Sequence, residues 1–424
     1  MSGPLFSERT KMLKAAGITA EYNPLHNGHV YHIEETRRIT GCDAVVAAMS
    51  GDYVQRGEPA CMDKWIRAEL ALRCGADLVI EIPVLFCLGN AGQYAAAAVS
   101  ILEATGKVTD ISFGSESGNA EALARIAHTF RDYDTEIEEA IKNLSGRGLS
   151  YPAARALAYS EVRAALKGSD PETDPEIAGD IRILDQSNDI LAIEYIRAMH
   201  SAKPVVIKRA GAGYSDPYDE RKLYQNASAI RTQTFNGVDM SGFVPDCTSA
   251  SMKECHLTGP GRDRWFDTLR YAVISTDAAI IEDCPSGGEG LASLLKESAA
   301  DASSWNDLIS HVKSKRYTYT RLSRLCMQLL LGISRSRYDI DRPGYIRVLG
   351  FNDTGRELLA EMRDEGSASL PVIINVNKSA KDLSESASGL LQLDMHASDV
   401  YNLMTTGEIG AGSDHRHQPV ILNK

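Results

Sequence analysis

The chain has 424 residues, of which 43% are hydrophobic and 24% are charged, so it can form two or three domains with a sizeable buried core. No apolar run approaches the roughly 20 residues that a membrane-spanning helix needs, and residues 1–14 lack the apolar centre of a secretory signal. The net charge of −12 argues against a general affinity for nucleic acids. We expect a globular protein of the cytoplasm that begins with a short flexible leader over residues 1–14.

The cysteines and histidines give little sign of a metal centre. The eight cysteines are scattered without a Cys-x-x-Cys pair, and most lie in apolar segments, which is typical of free thiols in a reducing compartment. His415 and His417 are a weak metal cue and fit a solvated tail better. We therefore predict no metal site.

The predicted elements begin with a short apolar run over residues 15–20, which is typical of a buried strand. An Asn-Pro dipeptide at 23–24 then forces a turn, because proline and the residue before it are conformationally restricted. The quartet His-Asn-Gly-His at 26–29 follows and leads into apolar positions at helical spacing. The pattern predicts a strand, a loop and a helix, with two histidines and a glycine in the first helical turn.

This first turn has the features of a phosphate site. Unpaired N–H groups and the positive end of the helix dipole favour an anion there, and a glycine lets a nucleotide approach the backbone closely. Two histidines one turn apart can donate to a phosphate whose charge grows during a reaction. A single histidine in such a turn is more often structural, but the quartet directly after a strand favours nucleotide binding. We predict His26 and His29 as catalytic residues.

Further apolar runs predict four more strands at residues 43–49, 77–83, 110–114 and 204–209, with helices between them. This alternation predicts an α/β fold, a doubly wound parallel five-stranded Rossmann-like sheet with right-handed crossovers. We expect residues 15–236 to form the ATP-binding catalytic domain, with a helical insertion over residues 119–180. Ligands of such sheets bind at the loops that leave the carboxyl ends of the strands.

Phosphate binding needs positive groups beyond the two histidines. Lys64, Arg209 and Arg231 each lie in a loop or at a helix start that follows a predicted strand. Each of them alone would more often be a surface cation or an ion-pair partner. Because one sheet edge would bring them together, we predict a clamp around the phosphates, with Lys64 as a further catalytic residue.

Two other positions fit the recognition of adenosine, which needs backbone polar groups and a closely fitting glycine or asparagine. Gly114 ends the fourth predicted strand, and Asn188 starts a predicted helix. The asparagine is explained equally well as the N-cap of that helix. We predict both as nucleotide contacts.

The C-terminal part, residues 237–424, has a mainly helical pattern with a concentration of positive charge. Between residues 313 and 347 nine lysines and arginines face only two aspartates, a net of +7, so the remainder of the chain carries −19. Interleaved tyrosines can stack on bases while arginines pair with phosphates, although a charged helix face that only meets water is the simpler alternative. We predict RNA binding through Lys313, Lys315, Arg316, Arg321, Arg324, Arg335 and Arg337.

Nine segments between residues 15 and 380 together resemble the bacterial tRNA(Met) cytidine acetate ligases, members of the HIGH-motif nucleotidyltransferase superfamily. The first is Glu21-Tyr-Asn-Pro-Leu-His-Asn-Gly-His29, which contains the His-x-Gly-His quartet. The others are Met49-Ser-Gly-Asp-Tyr-Val-Gln-Arg-Gly-Glu-Pro59, Asp63-Lys-Trp65, Gly75-Ala-Asp-Leu-Val-Ile-Glu-Ile-Pro83, Ser187-Asn-Asp-Ile-Leu191, Lys208-Arg-Ala-Gly-Ala-Gly-Tyr214, Ser228-Ala-Ile-Arg231, residues 321–333, and Tyr345-Ile-Arg-Val-Leu-Gly-Phe-Asn352.

The resemblance implies that ATP activates acetate as acetyl-adenylate with release of pyrophosphate, and that Mg²⁺ accompanies the ATP. The acetyl group then passes to N4 of the wobble cytidine of elongator tRNA(Met), AMP leaves, and acetyl-CoA is not the donor. A serine and a basic residue corresponding to Ser228 and Arg231 hold the β- and γ-phosphates. The ATP-binding residues that it implies are Thr19, Ala20, Glu21, Tyr22, Asn23, Pro24, Leu25, His26, Asn27, Gly28, His29, Val30, Tyr31, His32, Gly114, Asn188, Lys208 and Arg209.

Two other functions are open. One is a small-molecule adenylyltransferase of the pantetheine-phosphate or nicotinamide-mononucleotide type, which would leave the basic C-terminal part unexplained. The other is a non-catalytic tRNA-binding protein with a vestigial nucleotide fold, against which the intact His-x-Gly-His and Ser-x-x-Arg patterns argue.

Overall fold

The computed structural model describes residues 12–210, 218–219, 224–288, 290–314, 316–364, 366–379, 383–407 and 413–423. Most of the predicted leader and Lys315 lie outside these residues. The strands are β1 (Ala15–Ala20), β2 (Ala44–Ser50), β3 (Tyr53–Val54), β4 (Glu58–Pro59), β5 (Leu78–Ile82), β6 (Val108–Ser115), β7 (Lys203–Lys208), β8 (Ile346–Asn352), β9 (Val372–Ile373) and β10 (Val420–Leu422).

Five of these strands confirm the predicted doubly wound parallel sheet. They lie in the order β5-β2-β1-β6-β7, and every neighbouring pair is parallel. β2 and β5 are buried along their whole length, as is typical of parallel strands that helices cover on both faces. Because the chain proceeds from β1 to β2 on one side and later to β6 on the other, the switch point lies between β1 and β6.

In the described residues three further strands from the C-terminal part of the chain extend these five to an eight-stranded sheet. β8 runs antiparallel beside β5, while β9 and β10 pair parallel with β8. Every residue of β8 is buried, so the strand covers an edge of β5 that would otherwise leave N–H and C=O groups unpaired. Residues 346–422 therefore extend the same sheet as residues 15–208, and a boundary at residue 237 does not separate the sheet from the helices.

The helices that surround the sheet begin and end as the local sequence suggests. His26 caps α1, Asp63 caps α2 through two backbone N–H groups, and Gly41 ends α1 in the left-handed region. The predicted insertion is helical throughout and continues as far as α9. The α-helices are α1 (Asn27–Thr40), α2 (Lys64–Arg73), α3 (Val84–Cys87), α4 (Ala91–Ala104), α5 (Ala120–Asp132), α6 (Asp134–Gly146), α7 (Tyr151–Lys167), α8 (Pro175–Leu184), α9 (Ser187–Ala198), α10 (Ala227–Phe235), α11 (Asp246–Glu254), α12 (Trp265–Ser275), α13 (Ala278–Asp283), α14 (Leu291–Asp301), α15 (Trp305–Val312), α16 (Tyr319–Leu330), α17 (Asp353–Asp364), α18 (Val376–Ser379), α19 (Glu385–Thr405) and α20 (Ser413–Arg416).

A hydrophobic core separate from that of the sheet holds the C-terminal helices together and fixes α16 next to the sheet. Trp265, Trp305 and Leu322 are buried in it. The Ser323 hydroxyl donates to the carbonyl of Gly57 at 2.6 Å, in the turn between β3 and β4. Gly57 has a φ of +80°, and a Cβ there would lie 2.2 Å from the backbone nitrogen of Arg324, so only glycine permits this close contact. In the described part of the chain no helix is long and apolar enough to cross a membrane.

Candidate active site

A cavity of about 880 Å³ opens at the carboxyl ends of β1, β6 and β7, where the strand order predicts ligand binding. Residues that follow β1 line one side of it, and Phe113 and Gly114 of β6 line another. The start of α9 contributes Ser187 and Asn188, and the first two turns of α1 complete this part of the wall. The cavity therefore lies at the switch point of the sheet.

The structure brings most of the predicted site residues to the cavity wall and leaves the others away from it. Those on the wall are Thr19, Ala20, Glu21, Tyr22, Asn23, His26, Gly28, His29, Tyr31, His32, Gly114, Asn188 and Arg209. Those that do not line it are Pro24, Leu25, Asn27, Val30, Lys64, Lys208, Ser228 and Arg231. For these eight residues a direct role at a bound nucleotide stays a prediction.

The first turn of α1 arranges two imidazole rings through a reciprocal cap. The Nδ1 atom of His26 accepts a hydrogen bond from the backbone N–H of Gly28 at 3.1 Å. The Nδ1 atom of His29 accepts in turn from the backbone N–H of His26 at 3.2 Å, and the two rings stack with centroids 3.8 Å apart. Since both Nδ1 atoms accept, each neutral ring carries its proton on Nε2 and keeps that N–H as a donor.

Burial keeps these histidines uncharged. Burial first and the Arg209 guanidinium second lower the pKa of His26 to about 3 and the pKa of His32 to about 4. Burial and the neighbouring His26 ring hold the pKa of His29 well below its usual range. The Nε2 atom of His32 also lies 3.0 Å from the Ser112 hydroxyl oxygen. At neutral pH the three rings are therefore neutral, and arginines supply the positive charge of the wall.

We expect the free energy of unfolding to fall as the pH drops from about 6.5 towards about 4, in part because of these rings. In that window the unfolded chain binds protons on histidines that the folded protein keeps neutral. A His32→Gln variant should therefore lose stability less steeply with falling pH than the wild type does. Urea unfolding at a series of pH values between these limits measures the slope.

The control for this pH experiment is His311→Gln, because His311 is exposed beside Asp307 on α15. It should leave the slope close to that of the wild type. Equal slopes for the wild type and for His32→Gln would contradict the neutral state of His32.

A buried carboxylate and a buried guanidinium hold the two loops that border the cavity. Glu21 accepts a hydrogen bond from the backbone N–H of Gln55 at 2.9 Å, and burial raises the pKa of its carboxyl group. Arg67 donates to the Glu21 carbonyl at 2.7 Å and to the Ser50 carbonyl at 3.0 Å, and it also bonds the carbonyl of Gly51. Arg67 thus ties the loop after β1 to the loop after β2. Sequence analysis did not single out Arg67, since nothing local distinguishes it from a surface cation.

Arginines from four parts of the chain converge on the cavity. They are Arg56, Arg155, Arg209, Arg316, Arg321 and Arg324. Sequence analysis missed the first two: the loop that carries Arg56 was recognisable as polar and glycine-bearing, whereas Arg155 lies inside α7 without a local signal. Arg155 pairs with Glu194, which also lines the cavity. The last three arginines belong to the segment predicted to bind RNA, and the structure places them on the same wall as the histidines.

Lys64, which was predicted to be catalytic, lies in a buried ion cluster instead. Its amino group is 3.0 Å from Glu81 Oε1 and 2.9 Å from Asp414 Oδ2. Arg347 contacts the same two carboxylates at 2.9 and 2.8 Å. The side chains of all four residues are at most 4% exposed. We call these four residues the buried ion cluster, and its cations neutralise buried carboxylates rather than lining the cavity.

Arg231 also does not line the cavity and instead contacts residues of neighbouring loops. It donates to the backbone carbonyl of Asn23 at 2.6 Å, and its guanidinium lies 3.2 Å from Glu58 and 3.3 Å from the Ser228 hydroxyl. These contacts hold the loop between β1 and α1 in place. The Ser-x-x-Arg pattern therefore supports the loop that carries the histidines, and Lys208 is an exposed residue beside Gly118.

The remaining predicted RNA contacts lie outside the cavity wall. Lys313 and Arg337 are exposed, and the Arg337 guanidinium lies 5.3 Å from the Tyr338 ring centroid. Arg335 lines a smaller cavity next to the first one. The position of Lys315 lies outside the described residues.

The described residues contain no group of three His, Cys, Asp or Glu side chains that could hold a metal ion. The Nδ1 atom of His415 lies 2.7 Å from the Asn377 side-chain oxygen, and the His417 ring stacks on Trp65 at 4.6 Å. All eight cysteines are free thiols. Both C-terminal histidines are exposed, and each also contacts a side chain of the protein.

The sheet topology together with a His-x-Gly-His turn at the cavity defines the class of this protein. A family model described as HIGH Nucleotidyl Transferase matches residues 13–415, which is nearly the whole chain. The fold and the first turn of α1 are therefore those of a HIGH nucleotidyl transferase.

The chain is also similar to particular enzymes and solved structures. It is 34% identical over 418 residues to a tRNA(Met) cytidine acetate ligase of Clostridium perfringens, covering 97% of this chain and 100% of that enzyme. It is 36% identical over 400 residues to the enzyme of the same name from Caldanaerobacter subterraneus subsp. tengcongensis, covering 92% and 95%. Crystal structures of Thermotoga maritima TmcAL, apo and bound with alpha-thio ATP, match with TM-scores of 0.86 and 0.85 at 31% and 30% identity, each covering 97% of this chain and 100% of that chain. The chain belongs to the tRNA(Met) cytidine acetate ligase family, as its motifs predicted.

Proposed function

We propose that this chain is an ATP-dependent ligase of the cytoplasm that acetylates N4 of the wobble cytidine of elongator tRNA(Met), with acetate as the acetyl source. The observation that carries the proposal is one cavity wall with neutral histidines and arginines of the basic C-terminal segment. The histidines suit a phosphoryl reaction, and the arginines suit an RNA. Residues 15–236 would supply the nucleotide site and residues 237–424 most of the RNA-binding surface.

The first step joins acetate to AMP. A carboxylate oxygen of acetate bonds to the α-phosphorus of ATP, the bond to the bridging oxygen breaks, and pyrophosphate leaves. His26 and His29 donate their Nε2–H groups to the phosphate oxygens, where negative charge grows in the transition state. Loss of one such donor typically costs about 3 kcal/mol, roughly a hundredfold in rate.

A magnesium ion would fit this site through the nucleotide. Mg²⁺ prefers phosphate oxygens, water and one or two carboxylates, and Glu21 is a carboxylate on the cavity wall. The bound ion would neutralise charge on the triphosphate. Arg209 and the arginines of α16 offer further positive charge to the same phosphates.

The second step transfers the acetyl group. The N4 nitrogen of cytidine bonds to the acetyl carbonyl carbon, the bond to the AMP oxygen breaks so that AMP leaves, and the nitrogen loses a proton to water. The base must leave its stack to reach an anhydride inside a cavity, and the unpaired anticodon loop makes this inexpensive. Arg316, Arg321 and Arg324 line the cavity, and their positive charge would hold the RNA backbone there.

The test is incubation of the protein with ATP, labelled acetate and tRNA. We expect label in the RNA only when ATP is present, and none when labelled acetyl-CoA replaces acetate and ATP. Adenylation of pantetheine phosphate or nicotinamide mononucleotide, without label in RNA, would instead identify a small-molecule adenylyltransferase. Binding of tRNA without any label would identify a non-catalytic RNA-binding protein.

A further inference from the structure

A second cavity of about 400 Å³ adjoins the first, and the two share Asn90, Arg321 and Arg324 on their walls. Arg335 and the turn at residues 285–288 complete much of the second wall. Three arginines thus face this small space, and none of the described lining residues is acidic. We call this space the arginine cavity. Its charge favours an anion, and the shared residues put that anion next to the first cavity.

The arginines of this cavity are fixed in place by backbone carbonyl groups. Arg321 donates to the carbonyls of Ser286 and Gly287, both at 3.1 Å. Arg335 donates to the carbonyls of Glu282 at 3.0 Å and Pro285 at 3.1 Å. A carbonyl orients a guanidinium without cancelling its charge, so the cavity keeps its positive potential.

The turn that receives these bonds is itself held against the sheet. Gln328 accepts a hydrogen bond from the backbone N–H of Ser286 at 2.9 Å and donates to the carbonyl of Leu88 at 2.8 Å. A Cβ on Gly287 would lie 2.3 Å from the carbonyl oxygen of Ile281, so a glycine is needed for this packing. The cavity is therefore preformed, which lowers the free-energy cost of ordering its side chains when a ligand binds.

Arg324 lines both cavities and has few partners within the described part of the protein. Its Nη1 atom donates to the Gln55 carbonyl at 3.4 Å, while its Nε atom is buried without a hydrogen-bond partner in the described part of the chain. Burial and the neighbouring Arg321 lower the pKa of this guanidinium to about 10. A buried N–H group without a partner is costly, so the protein alone satisfies the Arg324 guanidinium poorly.

We propose that the arginine cavity binds a backbone phosphate of the RNA substrate, adjacent to the cytidine that enters the first cavity. This inference rests on the proposed function. Guanidinium groups bind phosphates through paired N–H donors, so the cavity would set the register of the RNA and place one base at the reacting carbonyl. It is a phosphate site outside the triphosphate site, because the histidines line only the first cavity.

The protein-side test is Arg335→Gln, since Arg335 lines only the second cavity. We expect the KM for tRNA in acetylation to rise about tenfold, as for the loss of one charged hydrogen bond. Acetate-dependent ATP–pyrophosphate exchange, measured without RNA, should change by less than about twofold. The slope of log affinity against log salt should weaken by about 0.7, the value for one phosphate of a single strand. Arg342→Gln removes the same charge at an exposed position that lines neither cavity and serves as the matched control.

The substrate-side test separates phosphate binding from a structural role of Arg335 in the turn. An anticodon stem-loop is prepared with one neutral methylphosphonate at each backbone position in turn. We expect the methylphosphonate at one position near the wobble cytidine to weaken binding to the wild type about tenfold. The same methylphosphonate should not weaken binding to Arg335→Gln any further, because a direct contact between the two groups couples their effects. Additive losses at every position would overturn the proposal, as would equal effects of Arg335→Gln and Arg342→Gln.

Free pyrophosphate is the other source of the same ligand chemistry. If Arg335→Gln weakened inhibition of exchange by pyrophosphate but left the KM for tRNA unchanged, the cavity would serve the leaving group, and the proposal would be wrong. Failure of the proposed function looks different, because the wild type would then neither exchange pyrophosphate with acetate nor label tRNA. Binding of the methylphosphonate stem-loops to the wild type and to Arg335→Gln can be measured whether or not the protein catalyses either reaction.

Discussion

Replacing His26 with asparagine is expected to lower acetate-dependent ATP–pyrophosphate exchange about a hundredfold while the protein stays folded. Asparagine is a favourable N-cap residue, so its side-chain oxygen can still accept the bond that His26 Nδ1 accepts from Gly28. The imidazole Nε2–H, which the proposed mechanism directs to the phosphate, has no counterpart in the shorter side chain. Initial exchange rates and urea unfolding of the same preparation measure the two properties separately.

Two comparison variants test whether the loss of exchange rate is caused by removal of the His26 imidazole ring. His26→Ala removes the cap as well, so it should show the same loss of rate and in addition lose about 1 kcal/mol of unfolding free energy. His128→Asn changes an exposed histidine on α5 and should leave the exchange rate unaltered. Nearly full exchange in His26→Asn would show that the ring makes no contact in the transition state, and the first turn of α1 would then act only through its backbone.

The parts of the site that the sequence predicts are those whose chemistry is contained in a few consecutive residues. The His-x-Gly-His quartet specifies both the helix start and the reciprocal cap, because each partner lies within three residues of the other. Gly114 and Asn188 could be placed because the first lies at the end of a strand and the second at the start of a helix, and both line the cavity. Local patterns therefore suffice where the strand ends bring residues together.

The sequence is ambiguous where the partner of a charged residue comes from a distant part of the chain. Lys64 follows a predicted strand like a phosphate-binding lysine, but its partner Asp414 lies 350 residues further on. Arg231 turns to the Asn23 carbonyl, 208 residues earlier. A cation next to a strand end is thus ambiguous until the long-range contacts are known, because burial with a carboxylate removes it from the ligand site.

The arginines of α16 illustrate the opposite case, in which residues expected on the protein surface line the cavity. Their charge suggested a surface for RNA, yet packing of α16 against the β3–β4 turn brings Arg321 and Arg324 to the cavity. This contact depends on Gly57, whose positive φ lets the two backbones meet. The sequence of α16 contains its charge and its amphipathic face but not the identity of the surface on which that face packs.

The buried ion cluster should give the largest effect on stability. Replacing Lys64 with methionine, which has a similar length, leaves Glu81 and Asp414 to share the single cation Arg347. Burial alone would raise the pKa of Asp414, but Lys64 and Arg347 outweigh it and hold that pKa at about 2. Removal of one cation from a buried pair typically costs about 3–5 kcal/mol, because a charge stays buried without compensation. We therefore expect Lys64→Met to lose about that much unfolding free energy, measured by urea unfolding.

Two further variants decide whether charge is the cause. Lys64→Met combined with Asp414→Asn should recover part of the loss, because it removes the uncompensated carboxylate together with the cation. Arg73→Met breaks an exposed pair with Glu69 on the same helix and should cost less than about 1 kcal/mol. The same preparations also settle whether Lys64 takes part in the reaction. If Lys64→Met unfolded like the wild type but lost ATP–pyrophosphate exchange, the lysine would have to reach the nucleotide, and its placement in the ion cluster would not describe the working enzyme.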